Sequence, residues 1–199
     1  MASLSDAKVK QLLEGRYIAS FATHNPNGSI HIVAVWFWFD GTDIYVATAS
    51  RSRKARNLQA NPQVSLMVDS RDPAASYGVT VTGSTRVLSG ESSQKCNMEI
   101  HRKYLSEAAL ADPKVGPVFA GWDDVTVRLV PTSVIVWDMR EADQHVFGGS
   151  FKKNPTYLIT AGALNWRKSR LHSEPQQGTG LRFFKDYHEN VAIHDRNLC

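Results

Sequence analysis

Four basic side chains lie close together in the segment 50–62, which contains no acidic residue. The segment follows an apolar run and ends at Asn61-Pro62, which predicts a short helix with the cations in its first turn. Cations there face the positive end of the helix dipole, at a cost of about 0.3–1 kcal/mol each. A phosphate held by free backbone N–H groups and basic side chains would reverse that cost. The sequence therefore predicts an anion site that includes Arg51, Arg53, Lys54 and Arg56.

Other side chains with acid–base or nucleophilic chemistry do not form a recognisable motif. No serine lies in a Gly-x-Ser-x-Gly elbow, and there is no His-Glu-x-x-His or paired metal-ligand spacing. His31 falls inside a predicted strand, which favours a packed histidine, and His101 is interpreted as facing solvent on a helix. We therefore predict no catalytic side chain and no metal ligand, and expect that any chemistry belongs to a bound cofactor.

The composition is that of a globular protein. The chain has 199 residues, of which 42% are hydrophobic and 21% are charged, enough for one domain with a core. The net charge of +4 suits a small anionic ligand, and the basic residues lack the interleaved aromatics that favour nucleic acid. Two cysteines form no disulfide framework, and no apolar run is long enough to span a membrane. We expect a cytoplasmic protein.

Alternating apolar residues predict short antiparallel strands. Tyr17–Thr23 and Ser29–Phe39 flank Asn25-Pro26-Asn27-Gly28, which predicts a hairpin. Further strands are predicted at 44–49, 63–68, 77–88 with a bulge at Gly83, and 125–137 with a break at Pro131. Helices are predicted near residues 7–14, with Val9, Leu12 and Leu13 on one face, near 53–60, and near 92–105, with an apolar stripe of Cys96, Ile100 and Tyr104. Residues 107–122 are interpreted as irregular, and 145–149 and 154–159 as an irregular cover on the barrel. Six or seven hairpin-linked strands with inserted helices favour a small barrel.

The strand Ser29–Phe39 is apolar on both faces. One face therefore lines the barrel, and the other is expected to meet a helix, a ligand or a partner subunit. This pattern favours dimerisation, and a crowded monomer core is the alternative. Residues 1–159 are predicted to form the barrel domain, and 160–199 to form a flexible or loosely docked tail because periodicity is lost there.

Several blocks together carry a family resemblance. Asn27-Gly28-Ser29-Ile30-His31, the run from Val35 to Gly41, Ser52-Arg53-Lys54-Ala55-Arg56-Asn57-Leu58 and Asn61-Pro62 resemble the pyridoxamine 5'-phosphate oxidase-like superfamily of flavin and deazaflavin oxidoreductases. The resemblance covers about residues 7–138. It implies an FMN-binding split β-barrel, a homodimer with the cofactor in a groove at the subunit interface, and hydride transfer to or from a small molecule.

The resemblance also implies which residues hold the cofactor. Ser52, Arg53 and Lys54 would bind the FMN phosphate, with a further contact from Thr48. Backbone groups of the strand Ser29–Phe39 would meet the isoalloxazine ring, which presents donors and acceptors along its pyrimidine edge. These backbone positions are Val33, Ala34, Val35 and Trp36.

Two departures from the true oxidases affect the expected substrate. Ile32 stands where they have an arginine, and Gly78 stands where they have a glutamine. We therefore expect a substrate other than pyridoxamine phosphate. FMN is expected because Ser52 and Arg53 match the phosphate clamp; a deazaflavin, coenzyme F420, is the alternative. A non-catalytic protein that binds flavin or haem is a further alternative, since no proton donor is evident.

Overall fold

Seven strands form one antiparallel sheet in the part of the chain described by the computed structural model, residues 3–70 and 76–154. This confirms the predicted mainly-β architecture. The predicted tail, 160–199, lies outside the described residues. The strands are β1 (Ala19–His24), β2 (Ile30–Val35), β3 (Trp38–Phe39), β4 (Ile44–Thr48), β5 (Gln63–Asp69), β6 (Tyr77–Ser89) and β7 (Val125–Asp138).

Helices connect and cover the strands. The first has the predicted apolar face, since Val9, Leu12 and Leu13 are all buried. None of the helices in the described ranges is both long and apolar enough to cross a membrane. The helices are α1 (Ala7–Glu14), α2 (Arg53–Ala60), α3 (Gly90–Tyr104), α4 (Glu107–Ala111), α5 (Gly116–Trp122), α6 (Met139–Phe147) and α7 (Ser150–Lys153).

The order of strands explains how the barrel is split. The sheet runs β2-β1-β5-β6-β7-β4-β3, so that β2 and β3 lie at opposite edges although they are consecutive in the chain. Trp36 and Phe37 are the covalent link between these edges. The sheet therefore curls until its edges meet at this link, which gives the predicted split β-barrel.

The prediction of one continuous strand from Ser29 to Phe39 was therefore wrong. The backbone leaves the ladder after Val35, and the Phe37 N–H donates to the Tyr104 hydroxyl at 3.4 Å instead of to a neighbouring strand. Phe37 is fully buried, and Lys103 Nζ lies 3.7 Å from the centre of its ring. Burial of this aromatic side chain in the barrel end offsets the loss of ladder hydrogen bonds.

The barrel core is built from alternate residues of each strand. Val64, Leu66 and Val68 of β5 point inward as predicted, and each is at most 3% exposed. The last strand, β7, pairs with β6 along its length and with β4 through its first five residues, so that Ile44 lies opposite Leu129. This pairing joins the first and second halves of the chain in one core.

The long strand β7 continues through Pro131, where a break was predicted. Its pairing with β6 shifts register at Thr82/Gly83, and Gly83 lies opposite Pro131. Proline is tolerated because β4 pairs only with the part of β7 that precedes it, so one side of the strand needs no donor there. Gly83 is required, since a Cβ atom would collide with the Val130 carbonyl oxygen. The predicted bulge at Gly83 is confirmed.

Three further predictions are corrected by the helices. Residues 107–111 and 116–122 form α4 and α5 instead of irregular chain, and residues 145–149, predicted as part of an irregular cover, lie at the end of α6 and in the turn before α7. The buried stripe of α3 is not the predicted Cys96–Ile100–Tyr104 series. It runs through Ser93, Asn97, Ile100 and His101. Its first two residues are polar because Ser93 hydrogen-bonds to Thr126 of β7 and Asn97 donates to the Asp123 carbonyl oxygen.

Candidate functional site

The predicted phosphate clamp lies at the start of α2. The Ser52 hydroxyl caps the helix by accepting a hydrogen bond from Ala55 N at 3.2 Å. The Thr48 hydroxyl, at the end of β4, lies 2.9 Å from the Ser52 hydroxyl. The Asp124 carboxylate accepts hydrogen bonds from the backbone N–H and the hydroxyl of Ser50, both at 2.6 Å. This turn is therefore fixed from both of its ends.

The four cations of the turn differ in environment. Arg51, Arg53 and Arg56 are exposed, whereas Lys54 is half-buried. Burial lowers the pKa of Lys54, and the nearby Asp123 carboxylate opposes this shift. The pKa of His31 is lowered by burial and by the charges of Arg53 and Lys54, so that His31 lies within their field. The positive potential is therefore concentrated between α2 and β2, where an anion would be stabilised.

A cavity of about 280 Å³ opens beside this turn. One wall comes from the end of β2, from β4 and from α2, and the other wall comes from α3, α5 and the residue after α5. Most of the lining is apolar or aromatic. The lining residues are Ala34, Val35, Trp36, Ala47, Lys54, Ile100, His101, Phe119, Trp122 and Asp123.

Stacked aromatic rings hold the two walls together. Trp36 stacks on Tyr104 at 4.9 Å between ring centres and on Phe119 at 5.8 Å, with interplanar angles of 9° and 16°. The Tyr104 hydroxyl donates to the Tyr17 carbonyl oxygen at 2.7 Å, and burial raises its pKa to about 12. It is therefore a fixed structural donor. The parallel rings give the cavity a flat apolar surface that suits a planar ligand.

The polar lining consists of Lys54, His101 and Asp123. His101 is only 3% exposed, which corrects its prediction as a solvent-facing residue, and burial lowers its pKa. Burial raises the pKa of Asp123, while the Lys54 charge opposes that shift. The Asn97 side chain donates to the Asp123 carbonyl oxygen at 3.0 Å and so positions this residue. Three titratable groups thus converge on one apolar cavity, an arrangement typical of functional sites.

The structure brings half of the predicted cofactor residues to this cavity. Ala34, Val35, Trp36 and Lys54 line it. Thr48, Ser52 and Arg53 lie beside it at the β4–α2 turn, and Val33 packs against the barrel core. Among the strands of the described residues, β2 is hydrogen-bonded only to β1, so its other edge has no strand partner there and offers backbone donors and acceptors, as the predicted ring contact requires.

The second wall was missed in the sequence. Phe119 and Trp122 belong to the stretch interpreted as irregular, Asp123 follows that stretch and was not predicted as a site residue, and His101 was assigned to the wrong face of α3. A helical period through positions 93, 97, 100, 101 and 104 would have placed His101 beside Ile100. The described residues contain no group of three His, Cys, Asp or Glu side chains that could hold a metal ion.

The residue range that contains most of both walls matches a known sequence family. The profile described as pyridoxamine 5'-phosphate oxidase matches residues 5–122, more than half of the chain. The chain belongs to this family. No curated protein matches it. Membership confirms the resemblance noted in the sequence, and the family includes oxidoreductases.

Solved structures of similar fold support this membership. A conserved hypothetical protein from Mycobacterium tuberculosis is 24% identical with a TM-score of 0.58, covering 70% of this chain and 88% of its own. An F420 reductase is 25% identical with a TM-score of 0.50, covering 63% and 94%. The haem storage protein HutZ from Vibrio cholerae is 18% identical with a TM-score of 0.52, covering 66% and 93%. The fold is thus shared by an F420 reductase and by a haem storage protein.

Proposed function

We propose that the protein is an FMN-dependent oxidoreductase that transfers a hydride to or from a small molecule other than pyridoxamine phosphate. The observation that carries this proposal is that three features of the structure are adjacent to one another. A basic helix N-terminus, an edge strand with available backbone groups and a flat aromatic cavity lie side by side. These features suit the phosphate, the polar ring edge and the apolar ring of one cofactor.

The chemistry of the donor set fits a flavin. Arg53 and Lys54 would hold the phosphate with the N–H groups at the start of α2, while Thr48 orients the Ser52 hydroxyl that caps this helix. The backbone of Val33–Trp36 would meet the polar edge of the ring. A bound flavin accepts or gives a hydride at its ring. The aromatic wall excludes water from that ring, and the family assignment supports this class of chemistry.

Two positions favour a substrate other than pyridoxamine phosphate. At Gly78, a Cβ atom would lie 2.6 Å from the Trp137 ring, so the indole occupies the space that a longer side chain would need. Ile32 is 64% exposed and cannot replace the charge of an arginine. The polar groups that the true oxidases place at these two positions are therefore replaced by apolar surface.

A deazaflavin is the second candidate cofactor. The likeness to an F420 reductase at 25% identity favours it, and the clamp and cavity would serve both cofactors in the same way. Titration of the protein with FMN and with coenzyme F420 would decide between them, and the lower dissociation constant identifies the cofactor.

We further propose a homodimer that covers the outer face of the sheet. Ile30 and Ile32 of β2 are 50% and 64% exposed, and Ile135 of β7 is 60% exposed. The strand register aligns Ala34, Ser20, Met67, Thr80 and Ile135 in one uncharged row across the sheet. Such a surface fits burial against a second copy. Sedimentation equilibrium should give twice the monomer mass, and a monomer at micromolar concentration would contradict this proposal.

The cofactor proposal is tested by spectroscopy and by removing the clamp. The purified protein should be yellow or should turn yellow on FMN titration. Arg53→Ala combined with Lys54→Ala should weaken FMN binding at least about 100-fold, because each charge-assisted hydrogen bond contributes about 1.5–3 kcal/mol. Arg56→Ala, which removes an exposed cation from the same helix, is the matched control and should change binding less than about threefold.

Two outcomes would argue against this function. A protein that binds neither FMN nor coenzyme F420 would overturn the cofactor assignment. A protein that binds FMN but whose flavin is reduced by neither NADH nor NADPH, and turns over with no acceptor, would favour the non-catalytic flavin-binding alternative.

A further inference from the structure

His101 is a buried imidazole without a polar partner. The residue is only 3% exposed. Its ring meets the Phe119 ring edge-on, with 5.6 Å between the ring centres. Within residues 3–70 and 76–154, neither ring nitrogen makes a hydrogen bond. Buried polar groups in folded proteins almost always have such a partner, and leaving one unpaired is costly.

The ring nitrogens of His101 are not fully inaccessible, and His101 is one of the residues that line the cavity. The described part of the chain contains no fully inaccessible side-chain nitrogen or oxygen that lacks a partner, so the unpaired ring nitrogens of His101 retain accessible surface. The cavity beside Trp36 and Phe119 is the space that His101 lines. A ligand in this cavity would therefore meet a polar atom from α3 as well as the aromatic surface.

The position of His101 is fixed by the helix that carries it. One turn before it, Asn97 donates to the Asp123 carbonyl oxygen and accepts from the Thr126 hydroxyl at 2.6 Å. The residue before it, Ile100, is fully buried. α3 therefore cannot rotate without breaking this network, and the imidazole is held in place before any ligand binds.

We propose that His101 forms the side-chain hydrogen bond that selects a planar heterocyclic ring bound in this cavity. The inference rests on the proposed function, in which this ring is the isoalloxazine of the cofactor. The cavity volume of about 280 Å³ lies at the lower end of small-molecule sites and has room for one ring system. A neutral imidazole offers one donor and one acceptor, which suits a ring edge that carries both.

Lumiflavin, which has the flavin ring without the phosphate, isolates this contact from the clamp. Fluorescence titration of the full chain should show that His101→Phe weakens lumiflavin and FMN binding by the same factor, about three- to tenfold, since it removes one neutral hydrogen bond. His101→Gln, which keeps a donor and an acceptor, should recover part of this loss. Arg53→Ala should weaken FMN binding and leave lumiflavin binding unchanged.

A measurement on the unaltered sequence covers the case in which the variants do not fold. In protein labelled with 15N-histidine, lumiflavin should shift the ring nitrogens of His101 toward one tautomer. Three outcomes would overturn the inference: lumiflavin fails to bind the wild type, it binds His101→Phe as tightly as the wild type, or its binding leaves the His101 nitrogen signals unchanged. If Arg53→Ala binds FMN as tightly as the wild type while lumiflavin behaves as expected, the phosphate clamp is overturned and the role of His101 is not.

Discussion

The two walls of the cavity are held by different forces. The strand wall contains Ala34, Val35 and Ala47, whose backbones belong to the sheet, together with Lys54 on the capped helix α2. The helix wall contains His101, Phe119 and Asp123, which are positioned by ring stacking and by the Asn97 side chain. Backbone ladders tolerate side-chain changes better than such contacts do, so the helix wall is the wall that single substitutions can displace.

The same contrast separates two histidines. His31 lies on β2 and has its pKa lowered by burial and by the cations of the clamp. His101 lies on α3 and has its pKa lowered by burial alone. The strand side is therefore electrostatically prepared for an anion, whereas the helix side offers a neutral polar group in apolar surroundings. One molecule with a charged end and a flat neutral body would satisfy both sides.

Removal of Trp36 should produce the largest effect, because this ring joins the two walls. Trp36→Ala should lower the free energy of unfolding by about 2–3 kcal/mol, less than the roughly 3–5 kcal/mol of a fully buried aromatic residue, and should weaken FMN binding. Urea unfolding and flavin titration measure the two effects. Trp38→Ala is the control: Trp38 packs on Tyr45, so stability should fall while FMN binding persists. Equal FMN affinity of wild type and Trp36→Ala would show that the walls are independent.

Loosening the helix wall alone should have an intermediate effect. Asn97→Leu keeps the branched shape and the number of side-chain heavy atoms but leaves the Asp123 carbonyl oxygen without its donor, while the Thr126 hydroxyl can still donate to the Ser93 carbonyl oxygen. We expect a loss of about 1–2 kcal/mol in urea unfolding. Gln94→Leu, at an exposed position on the same helix, should change stability by less than about 0.5 kcal/mol. Similar losses in both variants would mean that the network does not hold this wall.

The smallest effect concerns protonation. Both histidines have folded-state pKa values below 6.5, so the unfolded chain binds protons first, and stability should fall as the pH drops from about 6.5 through the folded values. Added salt should raise the pKa of His31 by screening Arg53 and Lys54, and should leave that of His101 nearly unchanged. NMR titration of the two rings at low and high salt measures this. Equal salt dependence would contradict the contrast between the walls.

The sequence predicts the strand wall because its information is local. The hairpin at Asn25–Gly28, the short helix at 53–60 with the cations in its first turn and its stop at Pro62 each depend on a few neighbouring residues, and all three are present in the structure. The hairpin loop is longer than the two residues that Asn-Gly suggests, since pairing resumes only at His24 and Ile30. Alternation also predicts the inward residues of β5 correctly.

The helix wall could not be predicted because its information is not local. Asn97 and Ser93 look like surface residues of α3, and they become buried because Thr126 supplies hydrogen bonds from β7. The break after Val35 has the same origin: the run from Ile30 to Phe39 is apolar apart from His31 and looks like one strand, but Tyr104 and Lys103 from α3 hold Phe37 outside the ladder. Tertiary partners override the local pattern at both positions.

The pairing of β4 with β7 determines when the cavity can form during synthesis. Ile44 can pair with Leu129 only after most of the barrel has been synthesised. The cavity residues Trp36 and Asp123 are likewise far apart in the chain. Non-local pairing of this kind makes folding slow, because the chain must close a large loop before the contacts form. A chain that has not yet paired β7 with β4 has the basic turn but not the closed barrel beside the cavity, so any cofactor that binds there would bind after the barrel has been synthesised.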